Sequence, residues 1–163
     1  MKKILWLLIF ISCYKPLYSQ YPNEKEPHVV VEAGVAPSWD LKSNYCALAP
    51  AIGIECSPVK DKLEIEVGVA PYYSSSGYSW QFEALFKKPY DISKRVEIMF
   101  GGGPQWSVSK QENSFSVEAA ADLMYWLYKK KVGLYTEPNY DYGLGKSHEQ
   151  SFGFSVGMII GLN

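Results

Sequence analysis

At alternate positions, much of this 163-residue chain sets carboxylates among small side chains. Glu32 precedes Gly34 and Ala36, Glu55 follows Ala49, Ala51 and Gly53, and Glu64 and Glu66 precede Gly68 and Ala70. Glu83, Glu97, Glu118, Asp122, Glu137 and Asp141 recur in the same manner. Small neighbours and strand alternation would turn all ten carboxylates into one narrow interior. Carboxylates gathered there can stay partly protonated, or instead meet lysines such as Lys62 and Lys87, hold water, or attract a cation. Arg95 is the single arginine and falls at a turn, so arginine pairing is ruled out. The expectation is a hydrated, hydrogen-bonded plug, with a cation-attracting lumen as the alternative.

A second stretch with chemical types is "HEQS", which holds His148, Glu149 and Ser151. A histidine base beside a serine is the raw material of acyl transfer. Three residues apart on a strand, however, two side chains point to opposite faces. These residues are read as ordinary polar groups near the top of the last strand, with no catalytic assignment. The chain has no zinc-ligand spacing, phosphate-binding loop or CxxC pair, so no metal or cofactor is expected.

The elements that would position these groups follow from a repeat. "VEAGVAPSW", "IEVGVAPYY", "FGGGPQW" and "YTEPNY" each carry proline, any residue, then an aromatic. Pro37, Pro71, Pro104 and Pro138 lie 34, 33 and 34 residues apart. Around them apolar residues recur at every second position, as Val29, Val31, Ala33 and Val35 do, which is strand periodicity. Each unit has room for two strands of about eleven residues. Four hairpins result, with strands near 28–39, 45–57, 62–74, 78–88, 94–108, 113–128, 131–142 and 151–162. In the sixth, "FSVEAAADLMYWLYKK", helix formers compete with strand alternation; alternation is preferred. The prolines, which cannot donate to a ladder, are expected at bulges near one rim.

An eight-stranded antiparallel sheet of this kind closes into a barrel, which removes its edges. Its polar face holds small residues and carboxylates without mid-strand lysine, which suits a narrow lumen rather than a watered exterior. Its other face carries Trp39, Tyr73, Trp106 and Tyr140, with Trp80, Phe82, Phe86, Phe115, Tyr125, Phe152 and Phe154. Trp and Tyr at one height suit a lipid–water interface, being half apolar and half polar. The apolar face is therefore expected to meet lipid. The opposite arrangement, a soluble carrier with an apolar cavity lined by Val29, Leu63 and Phe154, is the rival.

"MKKILWLLIFISCYKPLYSQ" has the layout of a signal peptide: two lysines, a short apolar run, then small and polar residues. Cleavage after Ser19 is expected; a lipoprotein signal acylated at Cys13 is the alternative. Residues 20–27 are read as a periplasmic lead-in and 28–163 as the barrel. Removing Lys2, Lys3 and Lys15 leaves 13 of 16 basic residues against 17 acidic ones, which argues against a nucleic-acid partner. Cys46 and Cys56 fall on one strand. Ten residues of strand span about 33 Å while a disulfide needs Cα atoms within about 7 Å, so no bond is expected. With the N-terminus periplasmic, lysines concentrate in the periplasmic turns "SPVKDK", "KKPYDISKR" and "YKKKV". The outer loops are short.

Signal peptide, eight alternating strands, aromatic girdle and the terminal apolar strand "SFGFSVGMIIGLN" together resemble small bacterial outer-membrane barrels of the OmpA/OmpX type. The resemblance implies an all-β, up-and-down transmembrane barrel, monomeric and in contact with outer-membrane lipid. It implies a structural, adhesive or minor permeability role without catalysis. Some barrels of that type hydrolyse lipid acyl chains with Ser, His and an acid at the rim, which keeps His148 and Ser151 as weak catalytic candidates. Such barrels commonly end in an aromatic residue, whereas this chain ends in Leu162-Asn163.

Overall fold

The computed structural model describes residues 27–43, 45–74, 77–110, 113–145 and 148–162. The expected signal peptide, Cys13 and most of the lead-in lie outside the described residues. Eight strands follow one another: β1 (Val29–Asp40), β2 (Tyr45–Val59), β3 (Leu63–Ser74), β4 (Gly77–Asp91), β5 (Val96–Ser109), β6 (Asn113–Tyr128), β7 (Val132–Gly143) and β8 (Gln150–Leu162). Each pairs antiparallel with its neighbour, and β8 closes on β1. The ambiguous sixth segment is a strand of 16 residues, paired along both edges. Pairing overrides its helix propensity, because a helix there would leave the edges of β5 and β7 open.

The register sets the barrel's shape. From Trp39, partners run through Phe152, Tyr140, Ala119, Gly102, Phe86, Ile65 and Cys56 to Val29. One circuit thus ends ten residues lower on β1, from 39 to 29. Eight strands with that stagger tilt by about 40° around a cylinder of radius about 8 Å. Spreading the stagger evenly places Trp39, Tyr73, Trp80, Trp106 and Phe115 on one level. The level of Val29, at the end where the termini lie, is about 25 Å below.

The prolines behave differently from the expectation. Among the described residues, register shifts occur only low on the barrel, between Cys56 and Val59 and between Trp126 and Tyr128. Pro37, Pro71, Pro104 and Pro138 sit in unbroken register with Leu48, Trp80, Val117 and Phe154. The missing N–H is felt on the opposite edge. Beside Pro37, Pro104 and Pro138 the ladder skips two pairs and resumes in the same register. Pro50 and Pro71 come opposite each other across β2 and β3, and that ladder ends just below them at Ile52↔Val69. Neither proline can donate, so no bond forms between them. Pro37, Pro104 and Pro138 are each accommodated by a local gap rather than by an extra residue, whereas beside Pro50 and Pro71 the β2–β3 ladder does not resume among the described residues.

The closing strand has a nearly empty inner face because β7 fills it. Tyr135 pairs with Gly157, and Asn139 pairs with Gly153. A Cβ on Gly157 would meet Ala33 O at 2.2 Å and the Tyr135 ring at 2.7 Å. The large side chains of one strand occupy the space that glycine leaves on the next.

Candidate functional site in the barrel lumen

Three layers fill the interior. The lowest is apolar: Val30, Met99, Met124, Trp126, Tyr135 and Ile159 form one buried cluster. It was hidden in the sequence because "LMYWLY" is apolar on both faces, so alternation carries no signal there. Beneath it Lys130 Nζ lies 3.3 Å from Asp91 and 3.5 Å from Glu97, and Trp126 Nε1 donates to Glu97 at 3.3 Å.

The middle layer is built on Lys87. The barrel extends β4 to Asp91, so a lysine read at a strand end becomes a wall residue pointing inward. The expected absence of mid-strand lysine on the inner face is therefore corrected. Lys87 is 1% exposed. Its ammonium donates to Glu66 and, at 2.5 Å, to Glu137, and it lies 2.5 Å from Asp122 as an ion pair. Glu32 and Glu55 stand on the same level, all within about two residues of height once the stagger is spread over eight strands. Lys62, also expected to reach inward, is exposed in the β2–β3 turn.

The upper layer, about 10 Å higher, is mostly neutral donors around carboxylates. Glu118 accepts from Gln105 Nε2 at 2.9 Å and from Asn139 Nδ2 at 2.8 Å. Ser116 Oγ donates to Gln105 at 2.7 Å, and Ser151 Oγ donates to Asp141 at 3.0 Å.

Of the ten carboxylates, Glu32, Glu55, Glu64, Glu66, Glu118, Asp122, Glu137 and Asp141 are buried. Glu83 and Glu97 are half-buried. Glu64 accepts from Ser57 Oγ at 2.5 Å. His148 and Ser151 are not brought together: Ser151 faces Asp141, while the exposed His148 ring stacks on Tyr142, its Nδ1 3.3 Å from the hydroxyl.

The outer wall is apolar. Trp39, Tyr73, Trp106 and Tyr140 are all exposed, as are Leu48, Ile52, Val67, Phe100, Leu134 and Ile160 between the rims. Tyr140 lies about 6 Å below the level of Trp39, and Tyr142 stands nearer that level. Aromatic contacts run unbroken from Tyr73 through Tyr78, Trp80, Phe82 and Trp106 to Phe115, with ring centroids 5.4 to 6.4 Å apart. Such contacts each contribute about 0.5–1.5 kcal/mol beyond burial. Val29, Leu63 and Phe154, the lining required by a soluble carrier, lie on this outer wall. Cys46 and Cys56 are free and exposed.

No protein-family model matches the sequence, and no curated protein matches it. Among solved structures, the chain is similar to Neisserial surface protein A at 16% identity and TM-score 0.62, covering 83% of this chain and 97% of that one. It is similar to the N-terminal β-barrel domain of Pseudomonas aeruginosa OprF at 12% identity and TM-score 0.58, covering 83% and 100%. It is similar to Ail, the attachment invasion locus protein of Yersinia pestis, at 12% identity and TM-score 0.58, covering 83% and 99%. The chain thus has the closed eight-stranded antiparallel fold that these barrels share.

Proposed function

We propose that this chain is an integral barrel of the bacterial outer membrane, exported by its leader, with a structural or adhesive role and no catalysis. The observation that carries the reading is its inverted polarity: acidic side chains are buried inside while the wall exposes Val, Leu, Ile and aromatics. In water that wall would be an apolar patch far beyond the few hundred Å² that soluble monomers expose. In lipid it is the favourable surface, and the closed strand order gives every strand a partner on both sides. A band about 25 Å tall between the upper ring and the lower rim is the height such barrels use. The occupied lumen supports a role in holding the wall rather than conducting. The separate partners of His148 and Ser151 support a role without acyl transfer.

The test is depth-resolved fluorescence on residues 20–163 refolded into lipid vesicles. Two variants would retain only Trp106 or only Trp126. Lipids brominated near the headgroup should quench Trp106 strongly and leave Trp126, which is 3% exposed, unaffected. Equal quenching of both, or a β-rich monomer folding without detergent or lipid, refutes the membrane reading. Planar-bilayer recordings should show no steady conductance. A lipid acyl-release assay should show no activity that Ser151→Ala removes.

A further inference from the structure

Three carboxylates on neighbouring strands face one another, and of the three Glu66 alone is paired with Lys87. Glu55 on β2 is the direct cross-strand partner of Glu66 on β3. Glu32 on β1 pairs with Gly53, two residues from Glu55. One oxygen from each carboxylate lies within 4.8 Å of the other two, and all three residues are buried. Like charges directly opposite on a sheet are destabilising. Lys87 relieves them in part, by pairing with Glu66. An ammonium has three protons, and this one is surrounded by Glu66, Asp122 and Glu137. Glu32 Oε1 and Glu55 Oε2 are left without a hydrogen-bond partner, in residues 2% and 4% exposed. Buried charges are paired or bound to metal.

We infer that Glu32, Glu55 and Glu66 hold one hard divalent cation of the calcium class beside Lys87. Oxygens bound to calcium sit at about 2.3–2.6 Å, so two on opposite sides are about 4.6–5.2 Å apart. The three oxygens all lie within 4.8 Å of one another, inside that reach. The cluster brings together one oxygen from each of three carboxylates, and second carboxylate oxygens or water would complete calcium's usual set of six to eight. Magnesium keeps several waters in a strict octahedron, which a packed lumen accommodates poorly. Softer metals favour thiolate or imidazole, and Cys46 and Cys56 lie on the outer wall. Gly53 keeps the space clear: a Cβ there would lie 2.9 Å from Glu66 Oε1. With all five carboxylates of the middle layer ionised against Lys87, the layer carries four net negative charges. A divalent ion halves that. The site leaves no motif because its ligands come singly from three strands. It goes beyond the membrane reading and rests on lumen geometry alone.

The test is a metal count on the folded barrel. Residues 20–163 are refolded in detergent with calcium chloride, with magnesium chloride, or with neither, then desalted. Bound metal is measured by atomic absorption, and folding is followed by gel mobility before and after boiling. One calcium per folded barrel is expected. Glu32→Gln and Glu55→Gln should lower it by about tenfold or more, since each loses an ionised ligand. Both variants relieve repulsion, so both should fold. Glu83→Gln, in the upper layer, should keep its calcium. A folded wild-type barrel without calcium overturns the inference while leaving the membrane reading intact. Calcium undiminished in both variants, or retention of magnesium in preference to calcium, overturns it equally.

Discussion

Val67→Arg is the substitution that most directly interrogates the outer wall. Val67 is 59% exposed on β3, six residues below Tyr73, which is 63% exposed. At a tilt of about 40°, six residues correspond to about 15 Å of depth in a band about 25 Å tall, close to its middle. An arginine there should cost about 2–4 kcal/mol, and one at Tyr73 about 0–1 kcal/mol. That difference, about 1–4 kcal/mol, shifts the unfolding equilibrium by roughly fivefold to several hundredfold. The assay is urea unfolding from lipid vesicles, read by gel mobility or fluorescence, with Val67→Ala as the packing control. In water an exposed position of either kind would change stability by no more than about 0.5 kcal/mol. Val67→Arg within that margin of Val67→Ala would refute the lipid-facing wall. Equal costs at Val67 and Tyr73 would refute the depth assignment derived from the stagger.

Other perturbations probe the interior and the closing strand. Lys87→Met should destabilise the barrel by about 3–5 kcal/mol, because it removes the cation shared by Glu66, Asp122 and Glu137. Adding Glu137→Gln should recover part of that loss in the same urea assay; no recovery would show that the pair is not coupled. Gly157→Val should cost about 1–3 kcal/mol by overpacking, and Tyr135→Ala should not restore stability, since the nearest collision is with Ala33 O. Both Cys46 and Cys56 should react with a lipid-soluble maleimide in the folded barrel, with mobility unchanged by reductant. A reductant-sensitive band at monomer size would contradict the strand assignment of β2.

Much of the fold could be read directly because a strand's period is two. Alternation at Val29, Val31, Ala33 and Val35, repeated with each proline, dictates strands, and an even number of them closes without an edge. The inward direction of the ten carboxylates and the outward direction of the aromatics follow from the same parity. Parity says nothing about height. The level at which Lys87 meets Glu66, Asp122 and Glu137 comes from a ten-residue stagger summed around eight pairings. No single strand encodes that sum. The same holds for the unpaired edges beside the prolines and for Tyr135 lying over Gly157. Each depends on which residue the neighbouring strand presents. Facing and period are local properties of the chain. Level, partner and the company of each buried charge are properties of the closed register.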